Sequence, residues 1–192
     1  MSLKKQQSLS ERRAPREEVV LERGQHYWVE TDSGEFYVPC KLLYDVKDPA
    51  QELTLEVHGT RAVLQAPQSA VAGLIPPPAQ VTLEKNFNDL VAAVDISEPA
   101  ILWNLKMRFK RNEIYSAIGP ILIAVNPYKK IDNLYGPEML HKYLHGHSGG
   151  NNKECSLGHP DEEPHIWSIA RSSYLQLQES GIRQAIIVSG GS

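Results

Sequence analysis

IYSAIGPILIAVNPYKKIDNLY, Ile114 to Tyr135, is the stretch on which the reading of this chain turns. Ile121 to Val125 is an unbroken apolar run, closed by Asn126-Pro127. A strand covered on both faces carries apolar side chains at every position, not at alternate ones, so this run predicts a strand buried within an α/β sheet. Gly119-Pro120 separates it from a first strand over 114–118, because proline has no N–H for a ladder and glycine turns freely. NPYKKIDNLY, Asn126 to Tyr135, then leaves the strand end, which is where α/β sheets place ligands. Tyr128 and Tyr135 offer flat faces to a ring, and Asn126 offers a donor and an acceptor to its polar rim. Lys129 and Lys130 offer positive charge to an anion. Composition alone explains the same residues as an ordinary strand-to-loop turn.

A second apolar run, QAIIV (Gln184 to Val188), predicts another buried strand and leads into Ser189-Gly190-Gly191-Ser192. Glycines let successive backbone N–H groups face one anion, and the phosphate-loop signature G-x-x-x-x-G-K-[ST] begins on such a glycine. Gly190 fits its first position, while its lysine and hydroxyl residue have no counterpart here. Gly-Gly-Ser by itself also describes a flexible segment. Ahead of QAIIV, Pro164 opens a predicted helix with Ile166, Ile169, Ala170, Ser173, Tyr174 and Leu177 at helical spacing, and Gly181 follows its end. Strand, helix, strand and glycine loop is the order of a nucleotide-binding α/β core.

Working outward, Asp95-Ile-Ser97-Glu-Pro99 reads as a helix start, with Ser97 as cap and Pro99 in the first turn. Ile101, Leu102, Leu105 and Phe109 share its predicted core face, and Lys106, Arg108, Lys110 and Arg111 fall to a solvated side. Pro137 opens a short helix carrying Met139, Leu140, Tyr143 and Leu144, which Gly146 would end, and 146–163 reads as a long polar surface loop. Toward the N-terminus, YWVETDSGEFYVPCKLLYDV and ELTLEVHGTRAVLQ alternate apolar with polar residues, with turns at Ser33-Gly34 and His58-Gly59. That pattern predicts a small β-barrel or sandwich over 25–75, preceded by a polar extension over 1–24. IPPPAQ, Ile75 to Gln80, is a stiff connector that leaves 76–192 to the α/β part.

The 192 residues are 41% hydrophobic and 22% charged, with a net charge of −3, which gives no bulk-charge reason to expect nucleic-acid binding. The longest apolar runs fall far short of the roughly 18 residues of a membrane helix. MSLKKQQSLSERRAPREE lacks the apolar core of a secretory signal. Two cysteines, Cys40 and Cys155, make no disulfide framework, and the expectation is an intracellular chain with reduced thiols. His145, His147, Cys155, His159 and His165 lack zinc-ligand spacing and read as surface residues of a polar loop. No Ser-His-Asp arrangement stands out and Cys155 has no clear base partner, so no catalytic residue and no metal ligand is assigned.

Residues 95–140, DISEPAILWNLKMRFKRNEIYSAIGPILIAVNPYKKIDNLYGPEML, and 164–192, PHIWSIARSSYLQLQESGIRQAIIVSGGS, together resemble the start of a myosin motor domain. Residues 26–75 look like the small β-barrel at the N-terminus of many myosin heads. The resemblance implies an α/β P-loop NTPase-type motor core, with a partial mixed sheet and helices, behind that barrel. It implies the N-terminal part of an actin-based, ATP-driven cytoskeletal motor in the cytoplasm. It makes Asn126, Pro127, Tyr128, Lys129 and Tyr135 the adenine-side pocket. Ser189, Gly190, Gly191 and Ser192 become the opening of the phosphate loop, with Gly191 where the family's G-E-S-G-A-G-K-T carries glutamate. ATP with Mg2+ is the implied ligand, actin filaments the partner, and light chains a further partner of the complete protein. The phosphate-binding lysine, the magnesium ligand, both switch loops and the actin-binding cleft have no counterpart among these residues. A polypeptide of these residues alone is therefore expected not to hydrolyse ATP. The alternative is a non-catalytic interaction module, with the barrel as binding surface and the rest a degenerate motor remnant.

Overall fold

The alternating positions of the N-terminal half become strands in a computed structural model that describes residues 20–31, 37–48, 50–71, 77–145 and 163–190. β1 (His26–Glu30), β2 (Tyr37–Leu42), β3 (Leu53–Val57) and β4 (Val63–Ala66) form an antiparallel meander in that order. Tyr27 lies opposite Cys40, Cys40 opposite Val57, and Leu55 opposite Leu64. With a period of two, this register sends Tyr27, Val29, Val38, Cys40, Leu42, Leu53 and Leu55 into one core, which Ala66 and Val71 complete. Burial pushes the Cys40 thiol up to about 12, so it is protonated and acts as a small apolar side chain. The His58-Gly59 turn forms between β3 and β4, with Gly59 at φ 82° and the Val57 N–H donating to the Ala62 carbonyl at 2.8 Å. Ser33-Gly34 lies outside the described residues.

Among the described residues the four strands form an open sheet, not the closed barrel expected over 25–75. No ladder joins β4 to β1 among the described residues, and the nearest approach to closure is one isolated antiparallel bridge between Val29 and Val71. The chain separates by its contacts into Met1–Ala79 and Gln80–Ser192.

The second unit contains α1 (Gln80–Glu84), α2 (Glu98–Lys110), β5 (Tyr115–Ile118), β6 (Ile121–Ala124), α3 (Pro137–His145) and α4 (Ile166–Ser180). A 3-10 turn, Leu90–Ala92, lies between α1 and α2. Ser97 stands at the N-cap of α2 without capping it by its side chain; its Oγ donates instead to Asp95 Oδ2 at 2.8 Å.

The buried face of α2 differs from the expected one. Pro99, Ala100, Trp103, Asn104 and Arg108 are buried, whereas Leu102 and Phe109 are exposed. The reason lies in the backbone that α2 covers. Asn104 accepts the Phe87 N–H at 2.9 Å and donates to the Phe87 carbonyl at 3.1 Å. Arg108, only 4% exposed, donates from Nε and Nη2 to the Tyr115 carbonyl at 3.1 and 2.8 Å, and from Nη1 to Asn88 Oδ1 at 2.6 Å. Two polar side chains are buried because they satisfy main-chain groups that would otherwise be orphaned. Arg108 is thus a structural tie, not part of a solvated face.

β5 and β6 form the expected pair of strands as a tight antiparallel hairpin, Ile118 opposite Ile121. Gly119, at φ 54°, takes the first of the two turn positions, where positive φ matches the twist of the strands. The far edge of β5 is occupied by a parallel bridge between Ala117 and Asp89. Asp89 also accepts the Gly119 N–H at 3.0 Å. β6 is not buried on both faces: Ile121 is 61% exposed, because β6 has β5 as its partner and no second strand among the described residues. QAIIV is likewise no buried strand. Residues 181–190 carry no regular structure, and Ile187 and Val188 are 88% and 92% exposed. An apolar run becomes a strand only where another strand accepts its ladder, and none of the described strands stands beside it. α4 ends as expected at Gly181, in the left-handed region at φ 67°. Gly146 lies outside the described residues.

Candidate functional site

β6 delivers the chain to Asn126, where the strand cannot continue because Pro127 has no N–H. Asn126 folds the next turn itself: its Oδ1 accepts the Tyr128 N–H at 2.9 Å. The Nδ2 donors of Asn126 take no part in that bond. Tyr128 takes φ 49° and Asn133 φ 61°. These two left-handed residues wind the segment back on itself, so that Tyr135 returns beside Asn126. The result is a concave groove of about 570 Å³, lined by Asn126, Pro127, Lys129 and Lys130 and, further along the chain, by a wall of Leu134, Tyr135 and Gly136. Ile114, buried just ahead of β5, also lines it.

Of the residues singled out by sequence, Asn126, Pro127, Lys129 and Tyr135 therefore line one concavity. Tyr128 does not line it and stands 91% exposed. Ser189 and Gly190 are exposed and are not among its lining residues, and Gly191 and Ser192 lie outside the described residues. A Cβ added at Gly190 would meet nothing within 4 Å.

Tyr135 is 56% exposed, with its hydroxyl anchored: Tyr135 and Tyr115 share a hydrogen bond of 2.6 Å. Burial, reinforced by this bond, pushes the Tyr115 hydroxyl well above the ordinary phenol value, so that hydroxyl carries its proton near neutrality. The ring of Tyr135 is thereby held at its tip, while the half-exposed side chain lines the groove. An apolar lining residue, one aromatic ring, an amide donor and two lysines suit a flat heterocycle that carries an anionic group.

Sequence reasoning missed His165, assigned to a surface loop and in fact 3% exposed. It is the N-cap of α4, its Nδ1 accepting the Trp167 N–H at 3.1 Å, and its Nε2 lies 2.9 Å from the Leu134 carbonyl oxygen. The signal was present in its position beside Pro164, immediately ahead of an apolar helix, where a side-chain acceptor is needed. A second hollow of about 320 Å³ is lined by Arg108, Asn133, Tyr143 and His165 among others. Its cations are paired: Glu113 meets Arg108 at 3.2 Å and Arg111 at 2.9 Å. Among the described residues no group of three or more His, Cys, Asp or Glu is placed to hold a metal ion. No helix among them is long and apolar enough to cross a membrane.

Residues 87–192 match the family described as Myosin head (motor domain). The chain is 32% identical over 169 residues to Myosin-7 of Arabidopsis thaliana, covering 88% of this chain and 9% of that protein. It is 33% identical over 166 residues to Unconventional myosin-Vb of Rattus norvegicus, covering 86% and 8%. With the Myosin-M heavy chain of Dictyostelium discoideum it shares 37% identity over 109 residues, 57% of this chain and 6% of the other. The chain thus spans less than a tenth of the length of these curated relatives.

Proposed function

The chain belongs to the myosin head (motor domain) family, and from that membership we propose that it supplies the base-side half of the nucleotide site of an actin-based, ATP-driven motor. The observation that carries this reading is the convergence of Asn126, Pro127, Lys129 and Tyr135 on one groove. Tyr135 packs its ring against the adenine, Asn126 donates from Nδ2 to a ring nitrogen, and Lys129 with Lys130 attracts the anionic end. Pro127 and Ile114 keep water from the apolar side of the base. None of these groups performs chemistry; they fix where the nucleotide lies, and phosphoryl transfer depends almost wholly on such positioning and on charge placed elsewhere.

Ser189 and Gly190, with Gly191 and Ser192, provide the opening residues of the phosphate loop in this reading. A loop of this kind curls its N–H groups around phosphates only when a following helix stands behind it. A P-loop NTPase-type core, the actin partner and a place in the cytoskeleton belong to the same proposal. Magnesium accompanies the phosphates in the family; no described residue is assigned to it.

The test is binding of ATP to the 192-residue chain, followed by the same measurement on Tyr135→Ala and Asn126→Ala. Tyr135→Ala is expected to weaken binding by roughly 1 kcal/mol, about fivefold, the scale of one aromatic contact. Binding that is unaffected by either substitution would place the nucleotide elsewhere and overturn the reading.

A further inference from the structure

The His165 ring makes two bonds with opposite demands. A nitrogen that faces an N–H must present a lone pair, and one that faces a carbonyl must carry a hydrogen. Nδ1 faces the Trp167 N–H and Nε2 faces the Leu134 carbonyl oxygen. The neutral ring protonated at Nε2 is the one species that satisfies both, and it donates to Leu134. The ring is fixed further by stacking on Tyr143, with centroids 5.1 Å apart and planes 18° apart. It meets Tyr115 edge-on at 5.1 Å and Tyr135 at 5.7 Å. One wall of the groove is therefore held from two sides. Its main chain is tied at Leu134 by His165, and its side chain at Tyr135 by the Tyr115 hydroxyl.

We infer that His165 is a positioning residue of the groove, tying the Leu134-Tyr135 wall to the N-terminus of α4 so that ligand affinity depends on a side chain that does not line the ligand's contact surface. Nothing else on α4 makes a hydrogen bond to residues 131–136 among those described, so this tie is where the helix fixes the wall. The inference rests on the reading of the groove as a base site.

Two variants of the 192-residue chain separate positioning from general packing. His165→Asn retains a side-chain acceptor for the helix cap and shortens away from Leu134, whereas His165→Ala loses both. In His165→Asn, amide exchange across α4 is expected to remain within about twofold of the parent, while exchange over 131–136 rises roughly tenfold. Adenosine, used as the probe, is expected to bind roughly three- to tenfold more weakly, the net worth of one hydrogen bond. Ring nitrogen shifts of the parent are expected to report the Nε2–H tautomer. Unchanged exchange over 131–136, equal adenosine affinity, an Nδ1–H tautomer, or joint loss of protection by α4 and the wall in His165→Asn would each overturn the inference. If the parent binds no adenosine while the wall still loosens in His165→Asn, the base-site reading is what falls, and the tie to α4 stands.

Discussion

Removing the Arg108 guanidinium would leave the Tyr115 carbonyl without its two donors and Asn88 without its charged partner. Arg108→Ala is expected to destabilise the second unit by about 2–4 kcal/mol, because the groups left behind stay buried and unpaired. Arg108→Lys should recover less than half, since an ammonium cannot reproduce the planar fork on one carbonyl. Urea midpoints measure this, and a shift worth less than about 0.5 kcal/mol for Arg108→Ala would contradict it. His165 gives a pH dependence of known sign. Burial lowers its pKa first and Lys142 acts the same way, against the Leu134 carbonyl and Glu163. An unfolded histidine titrates near about 6.5, so the stability held by the neutral ring is whole above that value and declines as pH falls through the lower folded value. His26 acts with the same sign, lowered by burial, His58 and Lys41 against Glu56. Midpoints are therefore expected to fall as pH drops from 7 to 5, and His165→Asn to remove part of that fall. A midpoint that rises on acidification would contradict the assignment.

Residues 182–190 form the element whose state depends most on what lies beside it. With no strand partner among the described residues, their amides are expected to exchange at nearly unprotected rates, and Ile187→Ser to change stability by less than about 0.5 kcal/mol. Protection of Ala185 to Val188 in the 192-residue chain would show a strand there after all. The contrast with β5 and β6 explains what was legible in the sequence. Gly119-Pro120, His58-Gly59 and Gly181 are local signals, since their φ values and missing donors act whatever surrounds them, and each marks a turn or end that the structure contains. The groove residues Asn126, Pro127, Lys129 and Tyr135 were legible for the same reason, because the turn that gathers them is set by Asn126 and Pro127. The buried face of α2 was not legible. Apolar spacing pointed to Leu102 and Phe109, but the deciding feature was which backbone groups needed Asn104 and Arg108. The burial of QAIIV failed for a related reason: apolar content states that a segment requires cover, and not what provides it.

On the scale of the whole chain, the two units differ in how fully they bury their apolar surface. The first has a continuous core in which Val29 and Leu55 are inaccessible, and Leu55→Ala there is expected to cost about 2–5 kcal/mol by the cavity it leaves. Circular dichroism of residues 25–75 expressed alone should show antiparallel β structure, and a helical spectrum would contradict the fold described. The second unit leaves Ile121, Leu144, Ile166 and Ile186 to Val188 exposed. Exposed apolar side chains in that number are expected to bind a hydrophobic dye and to promote self-association of the purified 192-residue chain. The central claim, that the Asn126–Tyr135 groove receives the base of an adenine nucleotide, is tested most directly by titrating the isotope-labelled 192-residue chain with ATP and mapping which resonances move. The account predicts saturable shifts concentrated at Asn126, Lys129 and Tyr135, with the ring signals of Tyr135 most affected. Shifts confined to other surfaces, or no saturable shift at millimolar ATP while the groove signals remain sharp, would contradict it.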